Sequence, residues 1–263
     1  MVKLIASDID GTLMKYGQTA LPPALFDLIR RLRSAGVLFC PASGRQYHSL
    51  RQLFAPVADE VCFLCENGAV VFGPGVEETA PILSKTPMPR REALALTRDI
   101  QALPSACALV SGQNLSYLPQ WPEALVQDFC HWTGNLVRSL DCAEEIPEDI
   151  LKVSARCPDP AAAAAALGPV WGEKFHMAVA GPIWLDLTLS DKGTGLRGLC
   201  RSLGVDMAEV MAFGDNWNDL PMLETAGEPW LMASADPALR ERFPRQCGDV
   251  LPVLESLLRE LNA

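Results

Sequence analysis

The stretch Asp8-Ile9-Asp10-Gly11-Thr12 decides the fold, and it follows directly on an apolar run at positions 2–6. The run predicts a short buried strand, so both carboxylates come at its carboxyl end, where open α/β sheets bind ligands. Two carboxylates there suit Mg²⁺, which takes one or two of them together with waters and substrate phosphate. Gly11 permits a close backbone approach, and Thr12 adds a hydroxyl and an N–H for an anion. An Asp-Gly pair is also common in β-turns, so the stretch alone leaves a plain turn open.

Length and composition predict a globular protein with more than one domain. The chain has 263 residues, which is long for a single compact domain, and 49% of them are hydrophobic. No segment reaches the apolar length of a membrane span. The sequence enters a strand directly, without the basic and apolar regions of a signal peptide. We therefore expect a cytosolic location, no membrane partner, and a monomer or weak homo-oligomer.

The net charge argues against a nucleic-acid-binding protein, and the cysteine pattern argues against a disulfide-bonded or cysteine-based metal or redox protein. The net charge of −10 argues against nucleic acid as a partner, and it means that an anionic ligand needs a metal and a few local cations. The nine cysteines are scattered, so reduced thiols packed as small apolar residues are expected. Cys62 and Cys65 fall within a strand pattern and should point to opposite faces, which disfavours a shared metal or redox role.

Alternating elements in the first part of the chain predict a doubly wound, mostly parallel α/β sheet. Strands are expected at 2–6, 37–42 and 61–65, helices at 22–35 and 46–54, and a hairpin through Asn67-Gly68 into 69–72. The rhythm resumes with a helix at 192–203, a strand at 210–213, a helix from about 217, a strand at 230–232 and a closing amphipathic helix at 250–261.

The middle of the chain, from about 84 to 187, has a different pattern. Helices are expected at 89–103, at 122–132 and around the alanine run 161–166, and strands at 106–110, 115–118, 136–140, 151–157, 175–180 and 183–189. This order predicts an inserted α+β domain with its own core.

Two short segments could contribute to binding of an anion. Ser43-Gly44-Arg45 follows the second strand, where a hydroxyl beside a glycine can hold phosphate, although a loop or helix-capping role fits equally well. Lys192 begins a helix, a position that the helix dipole disfavours for a cation, so a functional role is indicated beside the alternative of a surface lysine.

The segment Gly214-Asp215-Asn216-Trp217-Asn218-Asp219 follows the strand at 210–213. A buried strand that ends in such polar residues has few structural explanations. Because four segments now lie at or near the carboxyl ends of strands in one sheet, we expect them to converge on one crevice.

Together these segments resemble the motifs of the haloacid dehalogenase superfamily of phosphatases. Asp8-x-Asp10-Gly-Thr resembles the first motif, Ser43 the second, Lys192 the third, and Gly214-Asp215-x-x-Asn218-Asp219 the fourth. The insert at 84–187 is similar to the type-B C2 cap of the Cof-like, subfamily IIB, sugar phosphatases, with 1–83 and 188–263 as the core. The stretch 65–69 and Lys192-Gly193 are also similar to stretches usual in that subfamily, and the resemblance covers the whole chain.

The resemblance implies roles for individual residues. Asp8 would be the nucleophile that takes the phosphoryl group, and Asp10 the acid and base. Mg²⁺ would be held by Asp8, by the main-chain carbonyl of Asp10, and by Asp215. The remaining implied or candidate positions are Ser43, Lys192 and Asn218 on the phosphate, with Thr12 and Gly44 beside it, and Asp219 orienting Lys192 or a metal-bound water.

For several side chains the sequence is compatible with either a role at the site or a structural role. Trp217 is bulkier than the residue usual in the fourth motif, so it either packs internally or lines the mouth of a pocket. The side chains that could contact the substrate, but that equally suit structural or exposed positions, are Arg45, His48, His131 and His176.

The resulting expectation is a Mg²⁺-dependent phosphatase that hydrolyses small phosphorylated metabolites, sugar phosphates above all, through an aspartyl-phosphate. A phosphotransferase or phosphomutase on the same scaffold, similar to phosphomannomutases, is the first alternative, and product analysis separates the two. A non-catalytic phosphometabolite sensor is the second. Loss of a catalytic carboxylate or of Lys192 would mark it, and all are present. The fold leaves the identity of the metabolite open.

Overall fold

The computed structural model describes residues 1–262, and these divide into two compact units. The first unit comprises 1–45, 50–85 and the chain from 191 onward, and the second comprises 46–49 and 86–190. The main segment of the second unit begins and ends within three residues of the insert expected at 84–187. Its function as a cap stays a prediction.

The expected elements follow one another in the expected order, and the structure adds three that were not predicted. The strands are β1 (Leu4–Ser7), β2 (Leu38–Pro41), β3 (Phe63–Cys65), β4 (Val70–Phe72), β5 (Ile82–Lys85), β6 (Cys107–Ser111), β7 (Ser116–Pro119), β8 (Val137–Leu140), β9 (Lys152–Arg156), β10 (His176–Val179), β11 (Trp184–Thr188), β12 (Val210–Gly214), β13 (Glu228–Met232) and β14 (Gln246–Cys247). The helices are α1 (Pro23–Ser34), α2 (Tyr47–Leu53), α3 (Arg90–Gln101), α4 (Glu123–Thr133), α5 (Pro160–Trp171), α6 (Lys192–Leu203), α7 (Leu220–Thr225), α8 (Pro237–Arg240) and α9 (Val250–Leu261). The three elements that were not predicted are β5, α8 and β14.

A five-stranded parallel sheet forms the centre of the first unit, in the order β14-β13-β12-β1-β2. Its strands β1 and β12 are buried along their whole length, as parallel strands covered on both faces should be. Helix α1 buries one apolar stripe of Leu25, Leu28, Ile29 and Leu32. The prediction of an α/β fold with a mostly parallel sheet is confirmed.

The third predicted strand differs in its pairing. Strand β3 joins β4 and β5 in a small antiparallel sheet. It also lies beside β2 of the parallel sheet, through the bridge between Ala42 and Leu64 and the hydrogen bond from the Cys62 N–H to the carbonyl oxygen of Phe39 at 3.0 Å. The reason is the turn that follows Cys65, which sends the chain back at once as β4 and gives β3 an antiparallel partner. The hairpin predicted through Asn67-Gly68 into 69–72 is thereby confirmed.

The second unit is built on a six-stranded sheet in the order β10-β11-β9-β6-β7-β8, in which only β7 and β8 pair in parallel. Side chains of helices α3 and α5 pack against side chains of this sheet and form a core that includes Leu96, Val153 and Leu167. A smaller cluster of Leu118, Trp121 and Phe129 lies elsewhere in the unit. The sequence pattern of the insert predicted this α+β arrangement.

All nine cysteines are free, which agrees with the expectation of reduced thiols. Cys62 and Cys65 are both fully buried. Burial raises the pKa of Cys62 to about 12 and that of Cys65 well above its usual range, so both stay protonated thiols at neutral pH. Among the described residues, no helix is long and apolar enough to cross a membrane.

Candidate active site

The first and fourth motifs lie side by side because their strands are neighbours. Strand β1 pairs in parallel with β12, with Ser7 opposite Phe213. The backbone N–H of Asp8 then donates to the carbonyl oxygen of Phe213 at 2.9 Å. Asp8 and Asp215 therefore leave the same edge of the sheet, and both are buried.

Three aspartates form one acidic cluster at this edge. Asp8, Asp215 and Asp219 each offer a carboxylate oxygen, and these oxygens lie within 4.8 Å of one another. Gly11 has a φ of 100°, and a Cβ at this position would overlap the Asp215 carboxylate. The glycine of the first motif is thus required both by the turn and by the close approach of an acidic side chain.

Asp219 holds the fourth motif together. Its Oδ2 accepts hydrogen bonds from the backbone N–H groups of Asp215 and Asn216, at 3.0 and 3.1 Å. A Cβ at Gly214 would collide with the Asp219 side chain, which explains the glycine that ends β12. Thr12 donates its hydroxyl to Asp215 Oδ1 at 3.3 Å, and its role as a phosphate ligand stays a prediction.

Lys192 lies between two of these acids. Its Nζ donates to Asp8 Oδ1 and to Asp219 Oδ1, each at 2.5 Å, and the side chain is completely buried. The N-cap residue Asp191 accepts from the backbone N–H of Thr194 and so fixes the start of α6. The ion pairs offset the unfavourable position of a lysine at a helix N-terminus.

Electrostatics at the cluster reflect three acids and one base. Burial raises the pKa of Asp8 to about 7, with Asp219 and Asp215 acting in the same direction and Lys192 opposing them. Burial and the charge of Asp219 also raise the pKa of Asp215. Burial works against the charge of Lys192, but Asp219 and Asp8 outweigh it, so its pKa is raised and it stays protonated. The three carboxylates outnumber the single positive charge of Lys192, so a bound cation would be favoured at this site.

Asp10 is not one of the three clustered aspartates, and its carboxylate pairs with Arg45. The guanidinium donates from Nη2 to Asp10 Oδ1 at 2.8 Å and from Nε to Asp10 Oδ2 at 3.1 Å, in a fork-like pair. Both side chains are more than a third exposed. Ser43 is buried beside them, and its hydroxyl accepts the backbone N–H of Arg45 at 3.3 Å. Arg45, whose role the sequence left open, thus orients the second aspartate.

Other predicted residues are not brought into the cluster. Asn218 and Trp217 are exposed in the short 3-10 turn Trp217–Asp219. The three histidines, His48, His131 and His176, all belong to the second unit, on α2, α4 and β10. Their proposed contact with substrate stays a prediction.

Tyr16 is a residue at the site that the sequence did not indicate. Its hydroxyl donates to Asp215 Oδ2 at 3.0 Å, while 73% of the residue stays exposed. Partial burial of the hydroxyl and this hydrogen bond raise the pKa of Tyr16 to about 12. No spacing links position 16 to position 215, so only the tertiary structure could reveal the contact.

The chain matches known proteins over almost its full length. Residues 5–249 match the model of the haloacid dehalogenase-like hydrolases. The 5-amino-6-(5-phospho-D-ribitylamino)uracil phosphatase YbjI of Escherichia coli (strain K12) is 28% identical, and the alignment covers 98% of this chain and 97% of that protein. The pyridoxal phosphate phosphatase YbhA of the same organism is 26% identical, with 94% and 93% covered.

Solved structures show the same fold. A crystal structure of a protein from Eubacterium rectale has a TM-score of 0.86 and 29% identity, with 97% of this chain and 99% of that chain covered. The subclass IIB sugar phosphatase BT4131 has a TM-score of 0.78 at 17% identity, with 97% and 99% covered, and this likeness concerns the fold alone.

The chain belongs to the haloacid dehalogenase-like hydrolases. The resemblance noted in its sequence is thereby confirmed, and the prediction of an enzyme of the phosphoric monoester hydrolase class agrees with the family and with its curated relatives. The type of the cap stays a prediction.

Proposed function

We propose that this protein is a Mg²⁺-dependent phosphatase that hydrolyses small phosphorylated metabolites through an aspartyl-phosphate on Asp8. The observation that carries the proposal is the arrangement around the Asp8 carboxylate. Lys192 binds Oδ1, whereas Oδ2 is buried and has no hydrogen-bond partner among the described residues. Buried polar atoms without partners are rare in native structures, so Oδ2 is the oxygen left for a ligand.

The acidic cluster fits a divalent cation. Three buried carboxylates lie close together beside Lys192, and hard oxygen ligands of this kind are those that Mg²⁺ prefers. Asp8 and Asp215 would hold the ion, with the main-chain carbonyl of Asp10. When bound, Mg²⁺ supplies positive charge that offsets the repulsion between a carboxylate and a phosphate.

The two aspartates of the first motif would divide the chemistry. The Asp8 carboxylate attacks phosphorus, the bond to the leaving oxygen breaks, and Asp10 gives its proton to that oxygen. Asp10 then takes a proton from water as the water attacks the same phosphorus, the bond to Asp8 breaks, and inorganic phosphate leaves. Lys192 stabilises the negative charge on the transferring group, and Arg45 orients the Asp10 carboxylate.

The proposed substrates are small organic phosphates, with sugar phosphates among them. Two curated relatives are named for a phosphorylated ribitylaminouracil and for pyridoxal phosphate, which supports metabolites of this size and widens the class beyond sugars. Both compounds therefore belong in a substrate panel beside hexose and pentose phosphates.

Release of inorganic phosphate from such a panel tests the proposal. We expect hydrolysis of at least one compound with Mg²⁺ present, and no transfer of phosphate to an added sugar. Labelled phosphate retained in a sugar product would instead support the phosphotransferase. Tight binding of a panel member without any turnover would support the sensor.

Chelation is expected to abolish activity, because the three carboxylates of the cluster cannot accept a bound phosphate without a compensating cation. Addition of Mg²⁺ in excess of EDTA should restore it. Asp215→Ala should raise the Mg²⁺ requirement or eliminate activity, whereas Asp27→Ala, which removes a surface carboxylate on α1, serves as the matched control. Full activity in a chelated sample would contradict the site.

Tyr16→Phe is expected to raise the Mg²⁺ concentration for half-maximal activity by about tenfold, the lower end of the range for residues that orient metal ligands. The substitution keeps the ring and removes only the hydrogen bond to Asp215. Titration of activity with Mg²⁺ measures the effect. An unchanged titration would show that the hydroxyl does not orient this carboxylate.

A further inference from the structure

The turn between β3 and β4 has an unusual backbone conformation. Glu66, Asn67 and Gly68 have successive φ angles of 51°, 53° and 92°. Only glycine adopts such angles freely, although asparagine tolerates them better than most residues. Such conformations persist where surrounding contacts enforce them, and they cluster at functional sites.

The contacts that enforce this turn come from the predicted phosphate-binding segments. The backbone N–H of Asn67 donates to the carbonyl oxygen of Ser43 at 3.0 Å, and that of Glu66 donates to the carbonyl oxygen of Arg45 at 3.1 Å. On the other side, a Cβ at Gly68 would overlap the carbonyl oxygen of Asp191, the N-cap of the helix that begins with Lys192. Asn67 is thus fixed between the second and third motifs.

The side chain of Asn67 lies over Gly44. A Cβ at Gly44 would be 3.1 Å from Nδ2 and 3.3 Å from Oδ1 of Asn67, so any larger residue at position 44 would press on the amide. Oδ1 is buried without a hydrogen-bond partner within residues 1–262. No hydrogen bond among the described residues fixes the orientation of the Asn67 amide, so rotation about the last side-chain bond can present the NH₂ group.

We propose that the Asn67 amide is a phosphate-binding group, which donates from Nδ2 to an oxygen of the phosphoryl group held over Ser43 and Gly44. The inference rests on the proposed function, because it adds a ligand to the same site. The left-handed backbone is what aims the side chain: it holds the amide over Gly44 without help from a protein partner.

The competing explanation is that position 67 carries asparagine only because asparagine tolerates a positive φ. Asn67→Gly separates the two explanations, because glycine adopts this conformation without strain and removes the amide. Asn67→Asp provides the second variant. It is nearly isosteric, but it replaces the NH₂ donor with an oxygen and adds a negative charge, which repels phosphate.

The matched control is Gln120→Gly. Gln120 is an exposed residue of the second unit with a φ of 60°, so the change relieves a similar backbone conformation elsewhere in the chain. We expect it to leave kinetic constants unchanged.

The experiment measures kcat/KM for the best panel substrate, the inhibition constant of inorganic phosphate, and the melting temperature. We expect Asn67→Gly to lower kcat/KM by about 10- to 100-fold, the range for a hydrogen bond to a charged group. Weaker inhibition by phosphate and an unchanged or higher melting temperature should accompany this loss, and Asn67→Asp should lose more. Wild-type values of kcat/KM and phosphate inhibition in either variant would overturn the inference.

The outcomes also separate this inference from the proposed function. If the wild-type protein hydrolysed nothing in the panel, the proposed function would fail, and calorimetric binding of inorganic phosphate would still compare the wild-type protein with both variants. Equal phosphate affinity in the three proteins, or no binding by any of them, would overturn the role of Asn67. If Asn67→Gly is less stable than the wild-type protein, the kcat/KM and the phosphate inhibition constant of Asn67→Asp test the role of the amide instead.

Discussion

Asp8→Asn is expected to abolish turnover and leave the protein folded. An amide oxygen is too poor a nucleophile to form the acyl-phosphate, and removal of a nucleophile costs on the order of 10⁶-fold in kcat where it has been measured in other enzymes. The shape of the side chain hardly changes, and the amide oxygen can still accept the hydrogen bond that Lys192 now donates to Asp8 Oδ1.

Stability should be maintained or should increase slightly in this variant. Burial together with two neighbouring acids raises the pKa of Asp8 to about 7, so the folded protein bears an unfavourable charge at this position above that pH. Asparagine removes the charge. Phosphate release and a thermal melt, on protein shown by mass spectrometry to be free of deamidation, measure both effects, with Asp27→Asn as the surface control. Appreciable activity in pure Asp8→Asn protein would contradict the assignment of Asp8 as the nucleophile.

Lys192→Met is expected to lower kcat by about 10²- to 10³-fold, the loss typical for one preorganised group that stabilises developing charge. The order of preference among substrates should not change, because Lys192 would contact the phosphate that all of them share. A variant that kept its rate but changed its preference would place Lys192 outside the transfer site.

The same substitution should also destabilise the fold. Lys192 is completely buried, and its removal leaves Asp8 and Asp219 facing each other without a base, a change that typically costs about 3–5 kcal/mol. Addition of Asp219→Asn removes one of the two charges, and an amide oxygen can still accept from the backbone of the fourth motif. We expect the double variant to recover most of the melting temperature and none of the activity, which separates the catalytic effect from the structural one.

Local signals in the sequence predicted most of the helices and strands. The bounds of α6 and α9 agree with the expected 192–203 and 250–261, because capping aspartates at 191 and 249 begin these helices. Strand-end placement also predicted that the first and fourth motifs meet, since adjacent parallel strands carry Asp8 and Asp215 to one edge.

The remaining features depend on contacts between distant residues. The resemblance implied a contact between Asp219 and Lys192, but nothing in the sequence indicates that Lys192 is completely buried or that Tyr16 reaches Asp215, because burial and side-chain reach are tertiary properties. The Asn67-Gly68 pair predicted the antiparallel hairpin of β3 and β4, whereas nothing in the sequence indicated the positive φ of Glu66. Asn218, which the family resemblance placed on the phosphate, is exposed, and its role stays a prediction.

Trapping the phosphoryl group on Asp8 tests the central claim most directly. The Asp10→Asn variant should be mixed with acetyl phosphate, whose acetate leaves without a general acid, while hydrolysis of the intermediate lacks its base. The aspartyl-phosphate should then accumulate. After an acid quench, peptide mass spectrometry is expected to find one phosphoryl group at Asp8, and none in a double variant that also carries Asp8→Asn. Consumption of acetyl phosphate with Asp8 unmodified, or with the phosphoryl group on another residue, would contradict the account.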